Sequence, residues 1–135
     1  MRTAIVGTGF VAELHVQVLR ELGQEITAVV NPTMEKAQRF AQKWDAQQAF
    51  STLASALSRS KVDCVHICTP PVSHTELLNT CLAADVSVFC EKPLTVDAEQ
   101  ARTITQLAQE KEIITAVNFN NRRAVTAAKT QRFFK

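Results

Sequence analysis

Glycine is scarce in this chain, with three among 135 residues. That scarcity gives their positions weight, because Gly7 and Gly9 stand one residue apart and only Gly23 lies elsewhere. Tyrosine is absent, and tryptophan occurs once, at Trp44. No apolar run approaches the roughly 18 residues that a membrane-crossing helix needs. The first apolar stretch, Thr3 to Val6, stops at Gly7 and offers no long core for a secretion signal. The four cysteines (Cys64, Cys68, Cys81, Cys90) show no CxxC spacing and sit within apolar stretches. They read as reduced, buried thiols of a cytoplasmic protein, not as metal ligands or disulfides. Low-complexity tracts are missing as well. Hydrophobic residues make up 46% and charged residues 21%, the balance of a globular domain, which excludes a disordered tail or linker. The length suits one domain with one real core.

The net charge of +2 is unevenly placed. Residues 121–135 carry Arg122, Arg123, Lys129, Arg132 and Lys135 and no acid, so the remainder is net acidic. A basic end can touch nucleic acid. Without interleaved aromatics or a nucleic-acid motif, however, it reads as a solvated or partner-facing helix.

Apolar patterning alternates between short β-like runs and longer helical ones. Thr3–Val6 precedes the glycines, and Val11, Leu14, Val18 and Leu22 follow at helical spacing, with Gly23 where a C-terminal cap belongs. Ile26–Val30 reads as a second strand, and a polar helix runs from Pro32 to about Trp44. Ala46–Phe50 is a weak third strand, and Ser51 or Thr52 can cap the short helix after it. Val62–Cys68 is the clearest strand and ends at Pro70-Pro71. A helix from Val72 to about Ala84, a strand over Val86–Cys90, a helix beginning at Thr95 and a strand over Ile113–Phe119 complete the order. This alternation predicts an α/β, doubly wound parallel sheet in the order 3-2-1-4-5-6, with ligands at the carboxyl ends of the strands.

Four segments carry chemistry. Gly7-Thr8-Gly9-Phe10-Val11-Ala12 is a GxGxxA between a strand and a helix. Gly7 permits the tight turn, Gly9 lets a pyrophosphate approach the backbone, and the amides near Phe10 and Val11 face the phosphate. About 20 residues on, where an acid commonly binds the adenosine ribose, stands Asn31. A neutral amide can bond a ribose hydroxyl and does not repel a 2′-phosphate, which Thr33 and Lys36 are near enough to assist; NAD and NADP both stay open. The third segment runs from Val65 to His74. Thr69 brings a hydroxyl, Pro70 a rigid wall, and His74 falls in the first turn of the next helix, within expected reach of a cofactor. His66 and His15 read as structural. In Glu91-Lys92-Pro93, a lysine at the end of a central strand points into the crevice, where partial burial suits it to exchange a substrate proton. Glu91 can orient it or bond a ribose.

Together these segments resemble the N-terminal half of the glucose–fructose oxidoreductase / inositol dehydrogenase family. The likeness rests on the glycine turn with His15 downstream, Asp63-x-Val65-x-Ile67-x-Thr69-Pro70 with His74, Glu91-Lys92-Pro93-Leu94, and Val117 to Arg122. It implies a Rossmann domain over residues 1–120, with 121–135 starting a helix toward a substrate domain. It further implies NAD(P)-dependent hydride transfer on a sugar, cyclitol or related polyol, with Lys92 as the catalytic group. Gly7, Thr8, Gly9, Phe10, Val11, Asn31, Thr69, Pro70, His74, Glu91, Lys92 and Arg122 would contact the cofactor. No metal is expected, nor a nucleic-acid or membrane partner, and the full-length family pairs into homo-oligomers. Family members continue into a second domain, and this chain ends before it. Turnover by the chain alone is therefore not expected, and the terminal Phe133-Phe134 reads as the mark of a fragment. Some relatives act as regulators, so a dinucleotide-sensing module without turnover is the alternative.

Overall fold

The structure, a computed structural model, describes residues 1–119. The expected linking helix and Arg122 lie outside the described residues. Strands β1 (Arg2–Val6), β2 (Glu25–Val30), β3 (Ala49–Phe50), β4 (Cys64–Ile67), β5 (Ser87–Glu91) and β6 (Thr115–Asn118) alternate with helices α1 (Phe10–Glu21), α2 (Met34–Lys43), α3 (Leu53–Arg59), α4 (His74–Ala83) and α5 (Ala98–Glu110). The strands form one sheet in the order β3-β2-β1-β4-β5-β6, and every pairing is parallel. The doubly wound order expected from the alternation is the order found.

Parallel strands feeding helices must bury both sheet faces, and two apolar clusters do so. On one face, Ile5, Ile26 and Val29 pack under Ala12, Val16 and Leu19 of α1 and Ala37 and Phe40 of α2. On the other, Ala4, Val6, Ala28, Val65, Ile67 and Val88 pack under α3, α4 and α5, with Leu78, Leu82 and Ile104 fully or nearly buried. The central strands β1, β2 and β4 are buried almost throughout, as their continuous apolar runs require. One polar exception stands in the middle: register pairs Ile5 with His66, His66 with Phe89, and Phe89 with Ala116, so a histidine occupies a core row.

Local signals account for most element ends. Gly23 takes φ +67 after α1, a left-handed turn that a side chain would strain. Thr52 caps α3 by accepting from the Ser55 amide at 3.2 Å. The expected start of α5 at Thr95 moves to Asp97, whose carboxylate accepts from the Gln100 amide at 2.9 Å; Thr95 itself is buried beneath the turn. β3 shrinks to two residues because Asp45 turns the chain at φ 50 and only Ala49 and Phe50 reach the register of β2. Before α4, Pro71–Ser73 form a single 3-10 turn, where a continuous helix was expected.

Candidate active site

The sheet order reverses between β1 and β4, and a cleft of about 1280 Å³ opens there at the strands' carboxyl ends. Gly7 is buried with φ +101, and a Cβ on it would stand 2.7 Å from the Cys68 carbonyl oxygen. The turn therefore tolerates glycine alone, and its surroundings tie β1 to both neighbours: Gly7 donates its amide to Val30 at the end of β2, and Cys68, just past β4, donates to Val6. Gly9 differs. It caps α1 with φ −90 and no side-chain partner, and a Cβ there would meet nothing within 4 Å, because the space beyond is the cleft. The first amides of α1 have no intrahelical acceptors. They present partial positive charge to that space, as an anion-binding helix start does. The expected phosphate cradle and the observed opening thus coincide, and the residues present fit a dinucleotide diphosphate.

Asn31, one residue past β2, is committed within the protein. Its side-chain amide donates to Thr8 Oγ1 at 2.8 Å, and its Oδ1 accepts from the Thr33 amide at 2.9 Å. It orients the glycine loop and the entry to α2, and no carboxylate replaces it at the end of β2. Three cations of α2 line the cleft: Lys36, Arg39 and Lys43. Lys43 meets Glu13 at 2.5 Å and Arg39 meets Glu35 at 2.9 Å, whereas Lys36 has no carboxylate partner among the described residues. Across the cleft stand Thr69 and Pro70. Ser73, which the sequence reading passed over, donates to Thr69 Oγ1 at 2.8 Å and fixes that hydroxyl.

His74 corrects an expectation. It was to reach the cofactor, yet its side chain is wholly buried behind the cleft wall. Its Nε2 lies 2.9 Å from the Thr69 carbonyl and its Nδ1 2.9 Å from the Pro93 carbonyl. The ring ties the loop after β4 to the loop after β5 and touches no open space. Lys92 corrects another. Partial burial was expected, but the residue is exposed on the rim, with nothing among the described residues covering it. Neither Lys92 nor Glu91 lines the 1280 Å³ cleft; they follow it along the sheet edge, at the end of β5.

Glu91 is the hub of a network that the sequence did not announce. Its Oε1 accepts from His15 Nε2 at 3.0 Å and from Asn118 Nδ2 at 2.6 Å, and its Oε2 accepts from the Lys92 amide at 3.3 Å. His15 Nδ1 in turn lies 3.0 Å from His66 Nδ1. Burial opposes the charge on Glu91, but these donors outweigh it and hold the carboxyl below its ordinary range. Burial pushes His66 the other way, down to about 4, with His15 adding to the effect. Burial likewise raises all four thiols, to about 11 for Cys64 and about 12 for Cys81 and Cys90, so none is poised as a nucleophile. Among the described residues there is no cluster suited to a metal and no helix long and apolar enough to cross a membrane.

Comparison with known proteins meets this geometry. A family model described as an oxidoreductase family with an NAD-binding Rossmann fold matches residues 1–119. An inositol 2-dehydrogenase of Arthrobacter sp. (strain FB24) is 38% identical over 113 residues, 82% of this chain and 33% of its own length. The crystal structure of GenD2 from gentamicin A biosynthesis, in complex with NAD, superposes with a TM-score of 0.89 at 26% identity, covering 98% of this chain and 38% of that one. KijD10, a 3-ketoreductase from Actinomadura kijaniata in complex with NADP, gives 0.87 at 26% identity, over 99% and 42%. The chain thus spans about a third of the length of the curated relative.

Proposed function

The chain belongs to this oxidoreductase family as its NAD-binding Rossmann domain, and from that premise we propose that it is the cofactor half of a dehydrogenase acting on a sugar, cyclitol or related polyol. The observation that carries the reading is the pairing of Gly7 and Gly9 at the switch point, one sealing the turn and the other leaving the cradle open. The first turn of α1 would hold the diphosphate, Thr69 and Pro70 would wall the nicotinamide side, and Asn31 would shape the adenosine ribose pocket. A bound nicotinamide would exchange a hydride with the substrate's carbinol carbon. Lys92 Nζ would take the hydroxyl proton as the carbonyl forms, and return it in the reverse direction. The rim position of Lys92 suits a group that meets a substrate held from outside this domain.

Cofactor choice follows from the end of β2. Asn31 places no negative charge there, and Lys36, unpaired among the described residues, lines the same wall. We therefore place NADPH at least level with NADH. The structural neighbours support both, since GenD2 holds NAD and KijD10 holds NADP. The division at residue 120, a homo-oligomeric whole protein and a cytoplasmic setting belong to the same proposal, the last supported by four free thiols. Fluorescence titration of the chain with NADH and NADPH tests it. Both should bind, and Lys36→Glu should weaken NADPH by about tenfold while leaving NADH within about threefold. Failure of either coenzyme to bind the chain at millimolar concentration would remove the reading.

A further inference from the structure

We propose that His66, His15 and Asn118 form with Glu91 a positioning device for Lys92. The proposal rests on the reading of Lys92 as the group that handles the substrate proton. Four elements supply the parts: β4 gives His66, α1 gives His15, β5 gives Glu91 and β6 gives Asn118. Register places Asn118 beside Glu91 and His66 two rows below on the same face, opposite Phe89. His15 comes down from the helix above and bridges the two rows, at 3.0 Å to each partner.

The chemistry is constrained. Two Nδ1 atoms 3.0 Å apart need one proton between them. With none, two lone pairs face each other; with two, two N–H groups point at each other with no acceptor between them. His15 Nε2 must be a donor, because a carboxylate accepts only. One proton on each of two contacts therefore runs from His66 through His15 to Glu91 Oε1, and Asn118 saturates the same oxygen from the other side. Glu91, only 14% exposed at its side chain, has its Oε2 left for the amide of the next residue. That amide belongs to Lys92. Rotation of the carboxylate would break three contacts at once, so the carboxylate is locked, and the chain leaves β5 toward Lys92 in one direction. His66, His15 and Asn118 act on Lys92 through Glu91; they are positioning residues.

The test uses the 135-residue chain with ¹⁵N-labelled histidine and uniformly labelled backbone. A through-hydrogen-bond ¹⁵N–¹⁵N coupling between His15 Nδ1 and His66 Nδ1 is expected in the native chain. His66→Phe, which keeps the ring volume, should shift the Lys92 amide signal and change the rate at which an amine-acylating reagent modifies Lys92, relative to the other lysines, by about threefold. His66→Gln, which can still serve His15, should restore both. NADH affinity should stay within about twofold in each. Should His66→Phe not fold, Asn118→Leu on the half-buried edge strand removes a different donor from the same oxygen, with the same readouts expected. A folded variant in which the Lys92 amide and its acylation rate are unchanged overturns the proposal, as does absence of the coupling. The underlying reading fails separately. In a protein that joins this chain to a substrate domain, Lys92→Ala with undiminished kcat would remove Lys92 from the chemistry while leaving its positioning intact.

Discussion

Gly7 and Gly9 show how one residue type serves two ends. Gly7 answers a backbone demand, since its φ of +101 and the Cys68 carbonyl at 2.7 Å leave no room for a methyl group. Gly7→Ala should cost about 2 kcal/mol or more, read as a lowered midpoint in urea or heat. Gly9 answers a ligand demand, since nothing of the protein lies within 4 Å of a Cβ there. Gly9→Val should leave the melting temperature within a few degrees and abolish NADH and NADPH binding. A variant that melts normally and still binds would show that the diphosphate sits elsewhere. The sequence could pair these glycines with a phosphate because both roles depend on residues close by in the chain. It assigned the turn to Gly7 and the open approach to Gly9, but it could not name the atom that forbids a side chain at position 7, because that atom belongs to residue 68.

His66 gives a second residue-scale outcome, in pH. Its folded value, about 4, lies below the free value of 6.5, because burial and then His15 disfavour the charged ring. Above pH 6.5 the group is neutral in both states and stability is unaffected. As pH falls from 6.5 toward 4, the unfolded chain takes up a proton that the native chain refuses, and stability drops by up to about 3 kcal/mol. His66→Phe removes that slope. Unfolding free energies at pH 7 and pH 5 should therefore lie closer together in the variant than in the native chain, and equal differences would refute the assignment.

At the scale of elements, β1 and β4 are joined at both ends. At the bottom, Asp63 accepts from the Arg2 amide at 2.7 Å and pairs with its guanidinium, which holds the carboxyl down at about 2. That support is complete above the free value of 3.8 and is lost as pH falls from there through 2. Asp63→Asn should destabilise at pH 7 and cease to differ from the native chain near pH 2; since the pair is open to solvent, added salt should shrink the difference. Capping offers a cleaner test of α5. Asp97→Ala should cost about 1 kcal/mol, and Thr95→Ala should act through a buried hydroxyl instead.

The strand order was legible because period and punctuation are local and the crossover rule admits few arrangements. Three things were not. His74 was assigned to the cofactor from its place in a first turn, but the carbonyl of Pro93, nineteen residues away, decides where its ring points. Lys92 was expected to be partly buried, which depends on covering chain that the described residues do not supply. The network around Glu91 spans separations of 51 and 76 residues and exists only once α1 lies across β4 and β5. Asn118 had a usable signal: in the order 3-2-1-4-5-6, the end of strand six must stand beside the end of strand five.

For the whole molecule, coenzyme binding and folding are one equilibrium. The cradle at Gly9, the loop pinned by His74 and the wall of α2 are assembled from strands 1, 2 and 4, and none of these exists in the unfolded chain. Coenzyme at one hundred times its dissociation constant should therefore add about 3 kcal/mol, on the order of 10 °C in melting temperature. The size of that shift separates the elements. Gly9→Val should erase it for both coenzymes. Lys36→Glu should shrink it for NADPH alone. Lys92→Ala should leave it whole, since Lys92 stands on the rim beyond the cleft. Differential scanning of the four proteins with and without each coenzyme reads all of these outcomes together. A shift that Lys92→Ala removes and Gly9→Val does not would mean that the nucleotide lies over the end of β5, and the switch-point reading of the fold would have to be abandoned.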